Sequence, residues 1–344
     1  MKLDNFSVFS FLLLLLPSSS YATEAADEFF MNKDNVDCHV AKSDVDLLEF
    51  PLNLEYLEAE FFLWAAFGRG LDSFAPNLAA GGPPPIGARV AKLSPLIRDV
   101  IVQFGFQEVG HLRAIKKTVP GFPRPLLNLS AESFGTVMND AFGHPLEPPF
   151  NPYANDINFL LASYVVPYVG LTGYVGANPK LLSPTAKKFQ TNEEYSNYMY
   201  ICEYMQLAAG LLGVESGQDA VLRTLLYERA IEKVEPYGIT VAEFTSRISK
   251  LRNKLGHRGL KDEGLIVKPK EGAEAKLKGN LLAGDRHSLA YDRTPEEILR
   301  IVYGTGKMSK PGGFYPKGGD GRIAKYHLHK SQDYLFACEQ NMHN

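Results

Sequence analysis

The chain has 344 residues, a formal net charge of −3 and 45% hydrophobic residues. This apolar content is sufficient for a sizeable core. The small net charge and the lack of any lysine- or arginine-rich block argue against nucleic acid as a partner.

Residues 1–22 have the pattern of a secretory signal peptide. Lys2 supplies the positive start, an apolar run surrounds residues 12–16, and Ala22 ends a motif of small residues suited to cleavage. The apolar run is too short to cross about 30 Å of hydrocarbon, and we expect no transmembrane segment in the rest of the chain. The sequence therefore predicts a secreted, extracellular protein that is processed after residue 22.

Residues 43–256 are predicted to form a series of helices, preceded by an N-terminal segment at 23–42. The first helix begins with the cap-like pair Ser43 and Asp46, and Pro51 should kink it or shift its true start. No strands are expected in this region. Further helices are predicted at about 95–118, 153–174, 192–234 and 240–256.

Two long stretches are expected to lack regular structure. Residues 120–152 are rich in proline and are predicted to form an ordered surface loop. Residues 257–344 show little helical periodicity, apart from one short helix predicted between the capping box at Thr294 and Gly304. The expectation is an all-α protein with a long, largely irregular C-terminal extension that wraps the helices.

Three of the predicted helices carry polar residues on their apolar sides. Glu55 interrupts the apolar stripe of the first helix, Glu108 and His111 that of the second, and Glu215 and Gln218 that of the fourth. A buried carboxylate is costly unless it is paired, protonated or bound to a metal. Helical bundles that bind metal use inward Glu residues together with Glu-x-x-His. We therefore predict a candidate metal site at these five positions.

Several strings resemble the plant desiccation-related proteins that contain a ferritin-like domain. The strings are Leu-Glu-Tyr-Leu-Glu-Ala at 54–59, Glu-Val-Gly-His at 108–111, Gly-Val-Glu-Ser-Gly-Gln at 213–218, Arg-Thr-Pro-Glu-Glu-Ile-Leu at 293–299 and Pro-Gly-Gly-Phe-Tyr-Pro at 311–316. The resemblance covers about residues 43–329. It implies a ferritin-like four-helix bundle and a role under water deficit in the cell wall or apoplast, but no particular biochemical activity.

The resemblance also implies a ligand pattern that this chain matches only in part. Dimetal ferritin-like centres take a Glu from the first helix, Glu-x-x-His from the second, a Glu from the third and Glu-x-x-His from the fourth. The third-helix Glu would fall near Pro167, where no acid is present, and Gln218 stands in the place of the second His. Phe62 stands where many ferritins have a tyrosine. Three alternatives remain open: no functional metal, one ion of iron, manganese or zinc, or a working dimetal centre.

The incomplete ligand set favours a non-catalytic protective scaffold with a degenerate metal site, so we do not expect an enzyme. The alternative is a metal-binding redox protein, which would be a mono- or dinuclear iron or manganese oxidase or a peroxide-handling enzyme. A third hypothesis is a module that binds cell-wall polysaccharide. The aromatic residues that suggest it are Phe122, Phe150, Tyr153, Phe314 and Tyr315.

Two modifications are expected for a protein in an oxidising secretory compartment. Cys38 and Cys338 lie just outside the helical region at opposite ends of the chain, and we hypothesise a disulfide between them. Asn128 begins the sequon Asn-Leu-Ser in the proline-rich loop and is a candidate for glycosylation.

Overall fold

The structure, a computed structural model, describes residues 42–181 and 194–329, with side chains from 44 to 181 and from 206 onward. The predicted signal peptide and both cysteines of the hypothesised Cys38–Cys338 disulfide lie outside the described residues, so both stay predictions. The described part is mostly helical, as expected for an all-α chain.

The helices are joined by short connections near the start of the described region and by long irregular ones near its end. Their bounds are α1 (Lys42–Glu49), α2 (Leu52–Phe67), α3 (Leu71–Phe74), α4 (Pro76–Ala79), α5 (Pro95–Thr118), α6 (Ala131–Phe142), α7 (Asp156–Ser163), α8 (Pro167–Ala177), α9 (Glu194–Glu228), α10 (Val241–Gly256) and α11 (Pro295–Val302). A further helical stretch, α12, covers 321–329. Short 3₁₀ turns are found at Asn178–Lys180, Pro269–Glu271 and Ala273–Ala275, and the strands β1 (Lys233–Val234) and β2 (Ile239–Thr240) pair in antiparallel fashion.

Prolines divide two of the predicted helices. Pro51 separates α1 from α2, and Pro167 separates α7 from α8, because the ring removes an amide donor and clashes with the preceding turn. The break at Pro167 leaves carbonyl groups without helical partners. Arg252 of α10 donates from Nη1 to the carbonyl oxygens of Tyr164 and Val165, at 2.6 and 3.1 Å.

The structure differs from the predicted secondary structure at three places. The loop expected at 120–152 contains α6, which begins where Ser130 accepts a hydrogen bond from the amide of Ser133. Apolar residues four apart along α6 were a signal for this helix, and the proline density around it obscured them. The hairpin β1–β2 follows α9 although no strands were expected. The C-terminal extension is helical at 321–329 rather than irregular.

Helix α2 is buried on nearly all sides. It packs most extensively against α5 and also contacts α8, while α9 packs against α8, α7 and α5. Phe61 of α2 stacks on Phe134 and Phe159, with ring centroids 4.9 and 4.7 Å apart. Because no face of α2 is open to water, every acid on it needs a partner inside the protein. Glu60 has one in the buried guanidinium of Arg124.

The C-terminal extension shares the core of the preceding helices. Leu265, Ile298 and Phe314 are buried in the same hydrophobic cluster as α2 and α5. Tyr315 is fully buried and donates a hydrogen bond of 2.7 Å from its hydroxyl to the carbonyl of Asn53 on α2. Residues from the predicted segments 43–256 and 257–344 therefore contribute to one continuous core.

A buried arginine joins the extension to α9. Arg223 is fully buried, and its guanidinium donates to the carbonyl oxygens of Glu263, Asn280 and Leu281 at 3.1, 2.5 and 2.7 Å. It also donates to the hydroxyl of Tyr164 at 3.0 Å. One side chain thus satisfies several backbone groups of a segment that has little secondary structure of its own.

Within the described ranges, one segment is long and apolar enough by composition to cross a membrane, contrary to our expectation that no such stretch exists. It is Asp156–Lys180, which contains α7 and α8. In this fold 89% of its apolar window is buried inside the protein. The hydrophobicity is therefore explained by packing against neighbouring helices, since a helix that is apolar all round can be a core helix.

The five aromatic residues that suggested polysaccharide binding are all buried. Phe150 and Tyr315 are 1% and 0% exposed, and the hydroxyl of Tyr153 donates to the carbonyl of Leu129. Phe122 and Phe314 are buried as well. A sugar cannot stack on these rings without unfolding the core, so they support packing rather than a wall-binding surface.

Three glycines spaced three residues apart on α8 allow close approach of other parts of the protein. A methyl group at Gly173 would lie 2.7 Å from Cδ1 of Ile298, and one at Gly176 would lie 2.3 Å from the carbonyl oxygen of Arg293. The third, Gly170, faces the candidate metal site. The extension therefore approaches the backbone of α8 closely at Gly173 and Gly176, where the helix has no side chains.

We expect Gly176→Ala to destabilise the protein by about 1–3 kcal/mol, because the added methyl group has to displace backbone rather than a flexible side chain. The matched control is Gly210→Ala on α9, where a methyl group meets nothing within 4 Å. That change should stabilise the helix by up to about 1 kcal/mol. Chemical denaturation of both variants tests the packing, and equal effects of the two substitutions would contradict it.

Candidate metal centre

Three helices bring four of the predicted ligands together in the core. Glu55 comes from α2, Glu108 and His111 from α5, and Glu215 from α9. Each offers one ligand atom, and these atoms all lie within 4.8 Å of one another. All four side chains are buried. The structure thus places Glu and His residues from three separate helices around one point.

The ring nitrogen Nδ1 of His111 lies at the centre of the group. It is 3.0 Å from Oε2 of Glu55, 3.2 Å from Oε2 of Glu108 and 3.4 Å from Oε1 of Glu215. Ligand atoms that share one ion at bond lengths of about 2.1 Å are themselves about 3.0–3.5 Å apart. The distances from His111 to the three carboxylates are therefore compatible with a single divalent ion.

Several polar atoms of the site have no hydrogen-bond partner within the described part of the chain. They are Nε2 of His111, Oε2 of Glu58, both carboxylate oxygens of Glu215 and Oε1 of Gln218. Buried polar atoms are nearly always paired, and an exception calls for an explanation such as an ion or a water. Carboxylate oxygens that lack protein donors are suitable ligands for iron or manganese.

Two neighbouring side chains orient the carboxylates. The hydroxyl of Tyr174 on α8 donates to Oε1 of Glu55. Gln218 donates from Nε2 to Oε1 of Glu108 at 2.5 Å and to Oε1 of Gln107 at 3.0 Å. Gln218 therefore lies beside the centre, and its amide group holds the carboxylate of Glu108 in place. Sequence reasoning missed Tyr174, because the tyrosine of this site comes from the third helix of the core and not from the first.

Glu58 was not among the residues predicted to form the site, although it lies beside them. This residue follows Glu55 by one helical turn, is 2% exposed and interacts electrostatically with Glu215 and Glu108. Its i, i+3 spacing from Glu55 was the available signal. On α8, the residue that faces the site is Gly170, whereas the missing acid of the third helix was expected near Pro167. A methyl group at Gly170 would lie 3.4 Å from Oε1 of Glu58.

In the metal-free site, burial and the charges of neighbouring groups shift the pKa values of the four carboxyl groups. Burial, with repulsion from Glu215, raises the pKa of both Glu58 and Glu108 well above the ordinary value. Burial raises the pKa of Glu215 to about 7. Burial opposes the charge of Glu55, but the pKa of that carboxyl is lowered because the attraction and hydrogen bond of His111 outweigh desolvation. The pKa of His111 is raised, since its carboxylate partners outweigh burial.

We expect the melting temperature of the metal-free protein to fall as the pH rises from 5 to 8. An acid with a raised pKa, such as Glu215, binds more protons in the folded than in the unfolded chain above about pH 4.5, so its contribution to stability is lost as the pH rises. His111 acts in the same direction above about pH 6.5, and Glu55 has the opposite effect only below about pH 4.5. Saturating Mn²⁺ should remove most of the fall, since the ion binds the deprotonated carboxylates. Calorimetric scans with and without the ion test this, and a pH-independent metal-free melt would contradict it.

Gln218→His should raise the affinity for Mn²⁺ or Fe²⁺ by about 10-fold or more, because an imidazole would replace a neutral amide beside Glu108 and Glu215. Titration calorimetry measures the change. Gln103→His on the exposed side of α5 is the control and should leave the affinity at the centre unaltered. An unchanged affinity in Gln218→His would mean that this side chain does not reach the ion.

A small cavity borders the centre. Its volume is about 20 Å³, which is room for about one water molecule. Glu55 and Tyr174 lie in its wall together with Gly170 and Gly173. The space beside the ligands therefore suits a molecule of a few atoms.

The remaining predicted site residue lies apart from this centre. Asn128 is partly exposed, its backbone amide donates to the carbonyl of Phe314, and its side-chain oxygen accepts from the amide of Ser130. Glycosylation of Asn128 stays a prediction.

Comparison of the chain with known proteins shows its family. Residues 43–192 match the model of the ferritin-like domain. The chain is 59% identical over 313 residues to the desiccation-related protein PCC13-62 of Craterostigma plantagineum, which covers 91% of each chain. The chain belongs to the desiccation-related, ferritin-like family. It is also 56% identical over 289 residues to the ferritin-like catalase Nec2 of Nesocodon mauritianus, which covers 84% of this chain and 87% of that protein. No solved structure matches.

Proposed function

We propose that this protein binds iron or manganese on a ferritin-like four-helix bundle, formed by α2, α5, α7 with α8, and α9, and that it disproportionates hydrogen peroxide. One observation carries the proposal: four buried oxygen and nitrogen donors from three helices lie within 4.8 Å of one another. Partnerless buried oxygens beside them support a cation over a purely structural cluster. The similarity to a protein named as a ferritin-like catalase supports the choice of peroxide.

The donor set restricts which metals suit the site, and the cavity restricts the size of the substrate. Three carboxylates and one imidazole suit manganese and iron, and zinc has no redox chemistry. The cavity of about 20 Å³ beside Glu55 has room for about one water-sized molecule and is too small for a sugar, lipid or peptide. A small oxidant is therefore the substrate class that fits the space.

The reaction converts two peroxide molecules into two of water and one of dioxygen, so that one peroxide is oxidised and the other is reduced. When bound, the ion would be held by Glu55, Glu108, His111 and Glu215 and would accept and return the electrons. The proton transfers fall to the protein. The buried carboxylates of the site are the groups that can take up the two protons released by one peroxide and return them to the other.

The direct test is oxygen evolution from hydrogen peroxide. The protein is loaded with Mn²⁺ or Fe²⁺, freed of excess ion, and compared with the metal-free form and with Glu108→Ala. Oxygen release by the loaded wild type alone supports the proposal. Tight, stoichiometric metal without any oxygen release would overturn the catalase activity.

The non-catalytic scaffold remains the second candidate, because Gln218 stands in the place of a histidine and hydrogen-bonds to Glu108 instead of adding an imidazole. A scaffold needs no metal. Protein purified without chelator that contains no iron or manganese, and whose stability does not respond to either ion, would favour it.

We further propose that the protein acts in water-deficit stress outside the cell, as its similarity to a desiccation-related protein suggests. The signal-peptide pattern at residues 1–22 supports secretion. N-terminal sequencing of the protein from plant cell-wall fluid is the test, and a mature chain that still begins at Met1 would contradict secretion through this signal.

A further inference from the structure

The C-terminal extension presents several large apolar side chains to solvent within one short segment. Leu282 and Leu289 are 70% and 64% exposed, and Leu277 is 58% exposed. A single exposed leucine is ordinary on a protein surface, but a group of them indicates a contact surface. The apolar patch is defined here by its exposed members Ile266, Leu277, Leu281, Leu282 and Leu289.

Backbone pairing brings separate parts of the apolar patch together. Ile266 forms an antiparallel bridge with Gly279, so these two residues share a face. Leu277 and Leu281 lie two positions before and after Gly279, and residues two apart in an extended segment point to the same side. A methyl group at Gly279 would lie 2.7 Å from the hydroxyl of Tyr227 on α9. The exposed ring of Tyr227 therefore borders the same face.

The opposite side of this segment is fixed to the core. Leu265 and Asn280 are buried, whereas the next residue in the chain after each of them is exposed and belongs to the apolar patch. Asn280 donates from Nδ2 to Oε2 of Glu263 at 3.1 Å, and the guanidinium of Arg223 donates to the carbonyl oxygen of Asn280. An anchored backbone therefore presents the apolar side chains, and their exposure does not come from a frayed end.

Exposed lysines accompany the apolar patch along the chain. Two of them flank Leu277 and two others follow Ile266, and within the described residues none of the four forms an ion pair. Residues 266–289 contain five lysines and arginines against three acids, so this segment is positive in a chain whose net charge is −3. The four lysines are Lys268, Lys270, Lys276 and Lys278.

The combination of leucine and lysine favours a lipid surface over a protein partner. Lysine is depleted at protein–protein interfaces, where aromatic residues, methionine and arginine are enriched. At a lipid surface the long lysine stem lies along apolar groups while its ammonium group reaches the headgroups. Exposed leucines bury their side chains at the boundary between headgroups and acyl chains, and anionic lipids add electrostatic attraction.

We propose that the apolar patch docks the protein onto the surface of a membrane that contains anionic lipids. The leucines enter the boundary between headgroups and acyl chains, and the four lysines face the lipid phosphates. The contact is peripheral, because the apolar segment Asp156–Lys180 is buried inside the protein. The inference is independent of the proposed peroxide chemistry, since no residue of the apolar patch belongs to the metal centre.

Co-sedimentation with protein-free vesicles tests the docking. The full chain is mixed with vesicles of phosphatidylcholine alone and with vesicles that also contain phosphatidylglycerol. We expect binding to the anionic vesicles that weakens as salt is added. Lys276→Glu combined with Lys278→Glu should weaken it by about 10-fold or more, since each lysine near an anionic surface contributes about a factor of 5. Equal binding to the neutral vesicles would overturn the role of the lysines.

Leucine variants test the apolar part of the contact. Leu282→Ser combined with Leu289→Ser should weaken vesicle binding by about 10-fold or more. The control is Leu96→Ser on α5, which removes a leucine that is 65% exposed outside the apolar patch and should leave binding unaltered. All three leucines are exposed, so the variants should fold, and a thermal melt checks this. Equal effects of the double variant and the control would overturn the inference.

A fluorescent probe distinguishes insertion from adsorption. The emission of Leu282→Trp should shift to shorter wavelength with anionic vesicles, whereas that of Leu96→Trp should not. Absence of binding to either kind of vesicle would overturn the proposal. So would sedimentation equilibrium that shows a dimer without lipid and a monomer in Leu282→Ser, because the apolar patch would then contact a second copy of the chain.

Discussion

Glu108→Gln is expected to lower the affinity for Mn²⁺ or Fe²⁺ by about 100-fold and, at the same time, to stabilise the metal-free protein by about 1–3 kcal/mol. The first effect follows because a four-ligand site contributes on the order of 10 kcal/mol, so one ligand accounts for about 3 kcal/mol, or about a factor of 100 in affinity. A neutral amide cannot replace the charge of the carboxylate.

The second effect has the opposite sign because Glu108 is destabilising when no ion is present. It is fully buried, and burial together with the charges of Glu215 and Glu55 raises its pKa well above the ordinary value. Glutamine has the shape of the carboxyl group and no charge, so the variant avoids the desolvation and repulsion that oppose ionisation of Glu108. The amide of Gln218 can still donate to an oxygen at position 108.

Titration calorimetry and denaturant unfolding measure the two effects, with Glu228→Gln on the exposed side of α9 as control. The control should change neither quantity. A Glu108→Gln variant that binds metal as wild type does would show that the acids are not ligands. One that loses metal and is also less stable without metal would show that Glu108 supports the fold itself.

Arg223→Ala is expected to lower the free energy of unfolding by about 3–5 kcal/mol. The substitution removes the donors to the carbonyl oxygens of Glu263, Asn280 and Leu281. Hydrogen bonds from a charged donor are worth more than neutral ones, and buried carbonyls left without a donor lose their full desolvation energy. The volume left by a fully buried arginine adds a cavity.

The matched control is Arg247→Ala on α10. Its ion pair with Glu243 joins two side chains that are 43% and 41% exposed, and such pairs contribute about 0–1 kcal/mol. Equal effects of the two arginine substitutions would contradict a clamping role for Arg223. Limited proteolysis should in addition cut Arg223→Ala first between residues 263 and 281, because this side chain donates hydrogen bonds to both ends of that segment.

The helix ends near strong local signals were predictable from the sequence. Ser94 and Pro95 mark the start of α5, and Thr294 with Glu297 forms the capping box that begins α11. These signals act within one turn and need no tertiary contact. Helix α6 was missed because its local pattern is short and surrounded by prolines. The hairpin β1–β2 was missed because two-residue strands carry too few residues for an alternating pattern.

The metal site shows the same division between local and long-range information. The i, i+3 spacing of Glu108 and His111 and the apolar stripes around Glu55 and Glu215 indicate candidate ligands from the sequence, since helical periodicity determines which residues share a face. Gln218 in place of a histidine was visible in the same way. These features of the site and the ferritin-like family follow from the chain alone.

Only the tertiary structure decided how complete the site is. Glu58 looks like one more acid on an acidic helix until α2 is found to be buried on all sides, and Gly170 looks like an ordinary helical glycine until Glu58 is found against it. The physical reason is that a buried carboxylate and the space it fills belong to different helices. Their distance is set by how α2, α8 and α9 pack together, which no pattern within one helix records.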